Sequence, residues 1–538
     1  MHESAQPLAS TPHLAGYLEA SAKRFPDRVA VIGPDGTALT YRELNDRAGR
    51  LAAFLVRHGV KPGERVGLLT PKSVDTITAI FGILKARAAY VPADWTAPPA
   101  RIRSIFQDCQ VRAVFMDGRC SKILAEAPAD TQPETIVVFG SGIEEARAHG
   151  LVGAVDWSAA LAETPDVDTA HSRSLDDLAY ILYTSGSTGI PKGVMLSQRN
   201  ATSFVDWCSS VFMPNEDDRF SSHAPFHFDL SVLDVYLSLK HGAALYLISD
   251  ELGKSPKELS QFIAQNRLTV WYSTPSILSL LGEFGNLSRL DFSSLRLVLF
   301  AGEVFPVKHL RHLTTLWPHP EYFNLYGPTE TNVCTFACIP LPVPADRTEP
   351  YPIGPACAHC VPLVLDEDGR EVALGEEGLL YIAGPSVFLG YWNRPKENSA
   401  AFIGRGGRRW YCTGDVVRED PDQGFIYAGR RDRMVKRRGY RIELDDVQSG
   451  IYRHKGLREV AVIAVPDAAS GVKIVAYLTP RDPGQKPSII EMKSFCAREL
   501  PGYMIPDVFV FVEALPRTST DKLNFPAMRA AFLEGRAP

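Results

Sequence analysis

Short apolar runs and longer amphipathic stretches alternate through the first half of the chain. Thr40 and Glu43 have the spacing of a capping box and open a helix that runs to about His58, where Gly59 stops it. A strand is predicted at Arg65–Leu69, a helix at about Val74–Lys85 and a strand at Arg112–Phe115. The alternation continues with a strand at Ala243–Ile248, a helix at Glu258–Asn266, and strands at Val270–Tyr272 and Leu295–Phe300. This pattern predicts an α/β body with largely buried sheets.

From about Tyr351 the texture changes. Short strands at Gly378–Ile382 and Gly424–Tyr427 sit between turn clusters such as Pro421-Asp422-Gln423-Gly424, which predicts a β-rich subdomain appended to the body. A boundary falls near Gly429–Arg433, where charge is dense after a turn. Beyond it come a helix at Leu444–Tyr452, strands at Glu459–Val465 and Lys473–Leu478, a helix at Ile489–Glu499 and a strand at Val508–Val512. The expected architecture is a large N-terminal α/β body over residues 1–430 and a small α+β domain over 431–538.

Composition narrows the class. With 538 residues the chain exceeds the ~250–300 at which one core stops growing, so two or more domains are expected. A net charge of -5 gives no general pull toward nucleic acid or an anionic membrane. Nine scattered cysteines fit a reduced cytoplasmic chain better than a disulfide framework. Met1–Ser10 does not read as a secretory signal, and no apolar run has the length of a membrane span.

One loop carries candidate chemistry. The strand Ala179–Tyr183 leads into Thr184-Ser185-Gly186-Ser187-Thr188-Gly189-Ile190-Pro191-Lys192-Gly193. Glycines let backbone N–H groups approach a phosphate, the hydroxyls add donors and Lys192 adds charge. Gly193 follows Lys192 where a Walker A loop has Ser or Thr, so the usual P-loop fold is not indicated. On composition alone a flexible surface loop is the competing reading.

Further segments follow in order: Asn324-Leu325-Tyr326-Gly327-Pro328-Thr329-Glu330, Tyr411-Cys412-Thr413-Gly414-Asp415, Gly429–Lys436 with Gly439-Tyr440-Arg441-Ile442-Glu443, and Pro516–Lys522. With the loop, they resemble the motifs of the adenylate-forming superfamily, which includes acyl-CoA synthetases and the adenylation domains of nonribosomal peptide synthetases. The resemblance covers nearly the whole chain. It implies ATP and Mg²⁺, and a carboxylic acid activated as its adenylate. Tyr326 offers a face to adenine and Asn324 meets the base edge. Gly302, Glu303, Gly327 and Lys436 also fall at the nucleotide. Thr329 donates to the α-phosphate, Glu330 suits Mg²⁺, and Asp415 takes the ribose hydroxyls with Arg430 beside it. Lys522 meets the carboxylate and the α-phosphate as charge develops. Asp432 lies at the hinge on which the small domain swings. Met434, Cys412 and Asp521 depart from the usual residues at their positions.

The segment His223–Asp234 resembles the family's substrate-pocket motif. Its Asp229 matches the carboxylate that pairs with the α-amino group in amino-acid-activating members, and a buried carboxylate needs such a cation. A capping or surface aspartate is the plain alternative. The carried-over pocket adds Phe228, Leu230, Leu233, Tyr272, Leu299, Ala301, Leu325, Val333 and Cys334, with no second charge. That set looks like stand-alone L-prolyl-adenylating enzymes, which load proline on a peptidyl carrier protein ahead of pyrrole formation. Such a wall separates near-isosteric substrates by only ~1–3 kcal/mol per methylene, so ring closure must be read by shape. Another small amino acid, such as alanine or a β-amino acid, stays open, and an acyl-CoA ligase stands further off. The acceptor is expected to be the phosphopantetheine of a discrete carrier protein, since little chain follows Lys522. Cys334, Cys338, Cys357 and Cys360 with His359 give spacings that suggest zinc, but Cys334 already has a place in the pocket wall.

Overall fold

The computed structural model describes residues 13–128, 131–165, 174–186, 191–431, 433–467, 471–517 and 523–535. Ser187, Thr188, Gly189, Asp432 and Lys522 lie outside them.

Two eight-stranded sheets form the body. One runs in the order Thr335–Cys338, Glu321–Tyr326, Leu297–Ala301, Val270–Ser273, Arg219–Ser222, Ala244–Leu247, Val29–Ile32, Ala38–Thr40. Its inner pairs are parallel and its two edge pairs antiparallel. The second runs Gly390–Tyr391, Lys192–Ser197, Leu178–Thr184, Ala89–Pro92, Arg65–Leu69, Ala113–Asp117, Thr135–Phe139, Val155–Asp156. Parallel strands buried on both faces read as continuous apolar runs. All five residues of Leu297–Ala301 and all four of Ala89–Pro92 are buried accordingly.

The helices have local causes. Thr40 and Glu43 close the expected capping box on Tyr41–Arg57. Pro256 and Pro275 occupy the first turns of Pro256–Gln265 and Pro275–Phe284, where a missing N–H costs nothing. A helix not expected from the pattern runs through Leu230–Val232, Leu233–Leu237 and Ser238–Lys240, and its middle section is a π-helix. Every residue in Leu230–Leu239 is buried, so no polar stripe marks the period, and π turns gather at functional sites.

The β-rich part is a five-stranded antiparallel sheet of Val361–Leu365, Glu377–Ala383, Arg408–Asp420, Phe402–Arg405 and Gly424–Arg430. The smaller C-terminal domain has its own cores around Ile442–Phe509 and Ala461–Met528. It holds the hairpin Met434–Arg437 with Tyr440–Glu443, the three-stranded sheet Leu457–Asp467, Gly471–Pro480 and Val508–Phe511, and the helices Leu444–Tyr452, Ile489–Glu499 and Phe525–Leu533. Arg101 reaches across to Asp446 at 3.4 Å.

Candidate active site

Parallel strands deliver ligand-facing residues at their carboxyl ends. Here Tyr272, Ala301 and Tyr326 lie at or next to the ends of three neighbouring strands. Register places Tyr272 beside Leu299 and Ala301 beside Leu325.

The glycine-rich loop joins two antiparallel strands, with Thr184 opposite Lys192. It is a hairpin loop and not the strand-to-helix turn of a P-loop. Gly193 packs so closely that a Cβ would meet Ile181 Cγ2 at 2.8 Å. Lys192 Nζ lies 5.6 Å from the centre of the Tyr391 ring.

A cleft of about 1970 Å³ is lined by Gly302, Glu303, Asn324, Leu325, Tyr326, Arg430 and Lys436 among others. Asp415 is fully buried beside it. Its Oδ1 accepts from Arg430 Nη1 at 2.7 Å, and its Oδ2 accepts from the Tyr326 hydroxyl. The long strand Arg408–Asp420 pairs Asp415 directly with Arg430. Asn324 Nδ2 donates to the Pro352 carbonyl at 2.9 Å. Gly327 has no room for a side chain, since a Cβ would fall 1.6 Å from the Asn332 carbonyl oxygen. Lys436 stands over the Tyr326 ring at 5.3 Å, and burial pushes its ammonium down.

A second, smaller cavity of about 80 Å³ is lined by Thr184, Ser185, Phe228, Asp229, Leu230, Tyr272, Ala301, Gly302, Gly327, Thr329, Val333 and Lys436 among others. The structure therefore brings one end of the glycine-rich loop, the candidate acid pocket and Thr329 together. Leu233, Leu299 and Cys334 are fully buried in the same hydrophobic cluster and pack behind this wall, while Leu325 faces the larger cleft. Asp229 precedes the first helical residue but makes no capping hydrogen bond. Burial holds its carboxyl above the usual range, against the Thr329 hydroxyl and the Lys436 ammonium. Among the described residues it makes no ion pair. A carboxylate in that setting is matched to an incoming cation.

Glu330 is fully buried. Its Oε1 accepts from Tyr391 at 2.7 Å, and Arg441 Nη1 donates to Oε1 and Oε2 at 2.8 and 2.9 Å. Burial opposes the charge, yet Arg441 and Tyr391 hold the Glu330 carboxyl below its usual range. Glu303 accepts from the Gly439 N–H at 2.9 Å and from Ser276. Ser185 Oγ donates to the Arg441 carbonyl at 2.8 Å and accepts from the Glu443 N–H at 3.1 Å. Tyr440 meets the edge of Phe228 at 4.8 Å and stacks on Tyr503 at 3.8 Å.

Two contributors were missed by sequence reasoning. Arg441 stood inside a quoted motif without a role, and Tyr391 carried no motif signal. The thiols of Cys334, Cys357 and Cys360 are buried and raised by that burial, the Cys360 thiol to about 11, as packed neutral groups are. Among the described residues no three His, Cys, Asp or Glu side chains converge on a metal position.

The sequence profile described as AMP-binding enzyme matches residues 18–392, and that of the AMP-binding enzyme C-terminal domain matches residues 446–522. An "L-proline--[L-prolyl-carrier protein] ligase" of Pseudomonas fluorescens is 38% identical over 508 residues, covering 94% of this chain and 96% of that protein. One of the same description from Streptomyces coelicolor is 36% identical over 520 residues, covering 96% of each. Among solved structures, the Vibrio cholerae adenylation domain AlmE in complex with glycyl-adenosine-5'-phosphate superposes with a TM-score of 0.84 at 23% identity, covering 99% of this chain and 100% of that one.

Proposed function

The chain belongs to the AMP-binding enzyme family, and on that premise we propose that it activates L-proline with ATP and passes the prolyl group to the phosphopantetheine thiol of a separate carrier protein. The observation that carries the amino-acid reading is Asp229: a carboxylate in a small cavity whose other walls include Leu230, Tyr272, Ala301 and Val333, without an ion-pair partner among the described residues. A substrate ammonium supplies the missing charge, and Leu230, Tyr272, Ala301 and Val333 leave room for a small aliphatic ring. The names of the two relatives support proline over other small amino acids.

In the first half-reaction a proline carboxylate oxygen attacks the α-phosphorus of ATP in line, and pyrophosphate leaves. Positioning and charge neutralisation account for most of the acceleration. We assign the phosphates to Thr184–Gly193 with Lys192, the α-phosphate to Thr329, adenine to Tyr326 with Asn324, Gly302, Glu303 and Gly327, and the ribose hydroxyls to Asp415 with Arg430. Lys436 borders both cavities and fits the same anionic ligand. Lys522 lies outside the described residues, and its role against the developing charge stays part of the proposal. Glu330 is the residue for Mg²⁺: its carboxyl is held below the usual range, in the charged form that a hard divalent ion takes as an oxygen ligand. Held by Glu330, Mg²⁺ would supply positive charge to the phosphate oxygens.

In the second half-reaction the carrier thiol attacks the prolyl carbonyl and AMP leaves. The body over residues 1–430 and the domain over 431–538 alternate about Asp432 between the two steps. The hairpin Met434–Glu443 touching Ser185, Glu303 and Glu330 supports a pose suited to the thiol step. Unpaired cysteines support a cytoplasmic enzyme.

ATP–pyrophosphate exchange across a panel of amino acids tests this. L-proline is expected to be the best substrate, and a clear preference for another amino acid would overturn the proline assignment.

A further inference from the structure

Glu330 is fully buried, and a carboxylate so placed needs a cation in every state of the protein. Here the cation is Arg441, whose Nη1 donates to both carboxylate oxygens at 2.8 and 2.9 Å. Tyr391 takes a further acceptor position on Oε1 at 2.7 Å. A divalent ion bound to the same carboxylate would stand about 2.0–2.1 Å from an oxygen. Arg441 fills that approach, and two cations on one small carboxylate repel each other.

The hairpin that carries Arg441 also engages two other groups assigned to ATP. Ser185 Oγ bonds the Arg441 carbonyl and the Glu443 N–H, and Glu303 bonds the Gly439 N–H. Loop, base side and metal ligand are thus held by one element at once.

We propose that Arg441 is a positioning residue that takes the place of the divalent cation on Glu330, so that the docked hairpin and the bound metal–nucleotide exclude one another. Glu330 then changes partners without ever being left as a lone buried charge. The exchange orders the reaction. The hairpin docks only after the metal and pyrophosphate have gone, and it must undock before the next ATP binds. This inference rests on the reading of Glu330 as the metal ligand.

The test is Mn²⁺ binding to the full-length protein in the presence of α,β-methylene-ATP, read by electron paramagnetic resonance. Arg441→Ala is expected to bind Mn²⁺ about tenfold more tightly, which is what a hairpin docked in roughly nine molecules of ten would withhold. Arg441→Lys keeps the charge but loses the planar fork, and about threefold tighter binding is expected; it carries the test if the alanine variant does not fold. Loss of prolyl transfer, restored in part by the lysine, is the expected kinetic counterpart. Unchanged Mn²⁺ affinity in both variants overturns the exclusion. Glu330→Gln is read alongside: if it binds Mn²⁺ as the wild type does, the metal-ligand reading itself falls, whatever Arg441 does.

Discussion

Asp415 and Arg430 face each other across an antiparallel strand pair, joined by a hydrogen bond of 2.7 Å between two almost fully buried side chains. The second Asp415 oxygen accepts from Tyr326, so the ribose end and the adenine end of the candidate nucleotide site share one carboxylate. A carboxylate offers about four acceptor directions, which leaves room for ribose hydroxyls beside these donors.

Asp415→Ala removes the carboxylate that accepts from Arg430 at 2.7 Å and from the Tyr326 hydroxyl. Breaking a buried pair this way costs about 3–5 kcal/mol. A lowered melting temperature and a KM for ATP raised roughly tenfold to a hundredfold are expected, measured by calorimetry and pyrophosphate exchange. An unchanged KM for ATP would remove Asp415 from the ribose site.

Asp229→Asn separates stability from activity. The folded-state carboxyl is raised by burial, so at the pH where the unfolded chain has released this proton the native protein still binds it. Stability therefore falls as pH rises from the ordinary value of 3.8 through the raised one. Asparagine removes that cost, and a gain on the order of 1 kcal/mol at neutral pH is expected. Proline-dependent exchange should fall about a hundredfold with the lost charged pair, while ATP binding persists. Proline activation at the wild-type level would refute the ammonium pairing.

Lys72 gives the opposite sign. Burial pushes its ammonium down to about 7, against the pull of Asp234 and Asp250, and its Nζ donates to the Ser222 carbonyl at 2.5 Å. Between pH 7 and the ordinary 10.5 the unfolded chain holds a proton that the folded protein does not. Stability rises with pH across that window, by at most about 1.4 kcal/mol per pH unit. Lys72→Met should flatten the rise in urea melts followed from neutral to alkaline pH. Equal slopes in both proteins would sink the assignment.

What was legible in the sequence follows from the range of each interaction. The helix over Val74–Lys85 and the Thr40–Glu43 capping box were readable because propensity and capping act within a few residues. Strand limits shifted by one or two residues, as at Leu297–Ala301, because partner strands set them through register. The helix after Asp229 was hidden by its own burial, which erases the polar face that marks a period. At the site, Thr184, Tyr326, Asp415 and Asp229 stood in ordered motifs, and the chain folds them toward two adjoining cavities. The Glu330 contacts to Tyr391 and Arg441 span 61 and 111 residues and left no local trace.

Gly439 decides whether the hairpin docks at all. Its φ of +81° is left-handed backbone that other residues rarely adopt, and an added Cβ would meet Thr274 Cγ2 at 2.3 Å and Phe228 Cε1 at 3.3 Å. Thr274 is buried at the end of the Val270–Ser273 strand and has little freedom to move away. Gly439→Ala should therefore disfavour the docked pose while leaving every side chain of the candidate site in place. Pyrophosphate exchange is expected to stay within about twofold of the wild type, while transfer of proline to the carrier thiol falls about fivefold to 150-fold, the size of a steric penalty of about 1–3 kcal/mol. Single-turnover transfer from preformed prolyl adenylate measures the second step alone. If that rate is unchanged, the docked hairpin is not the pose in which the thiol attacks.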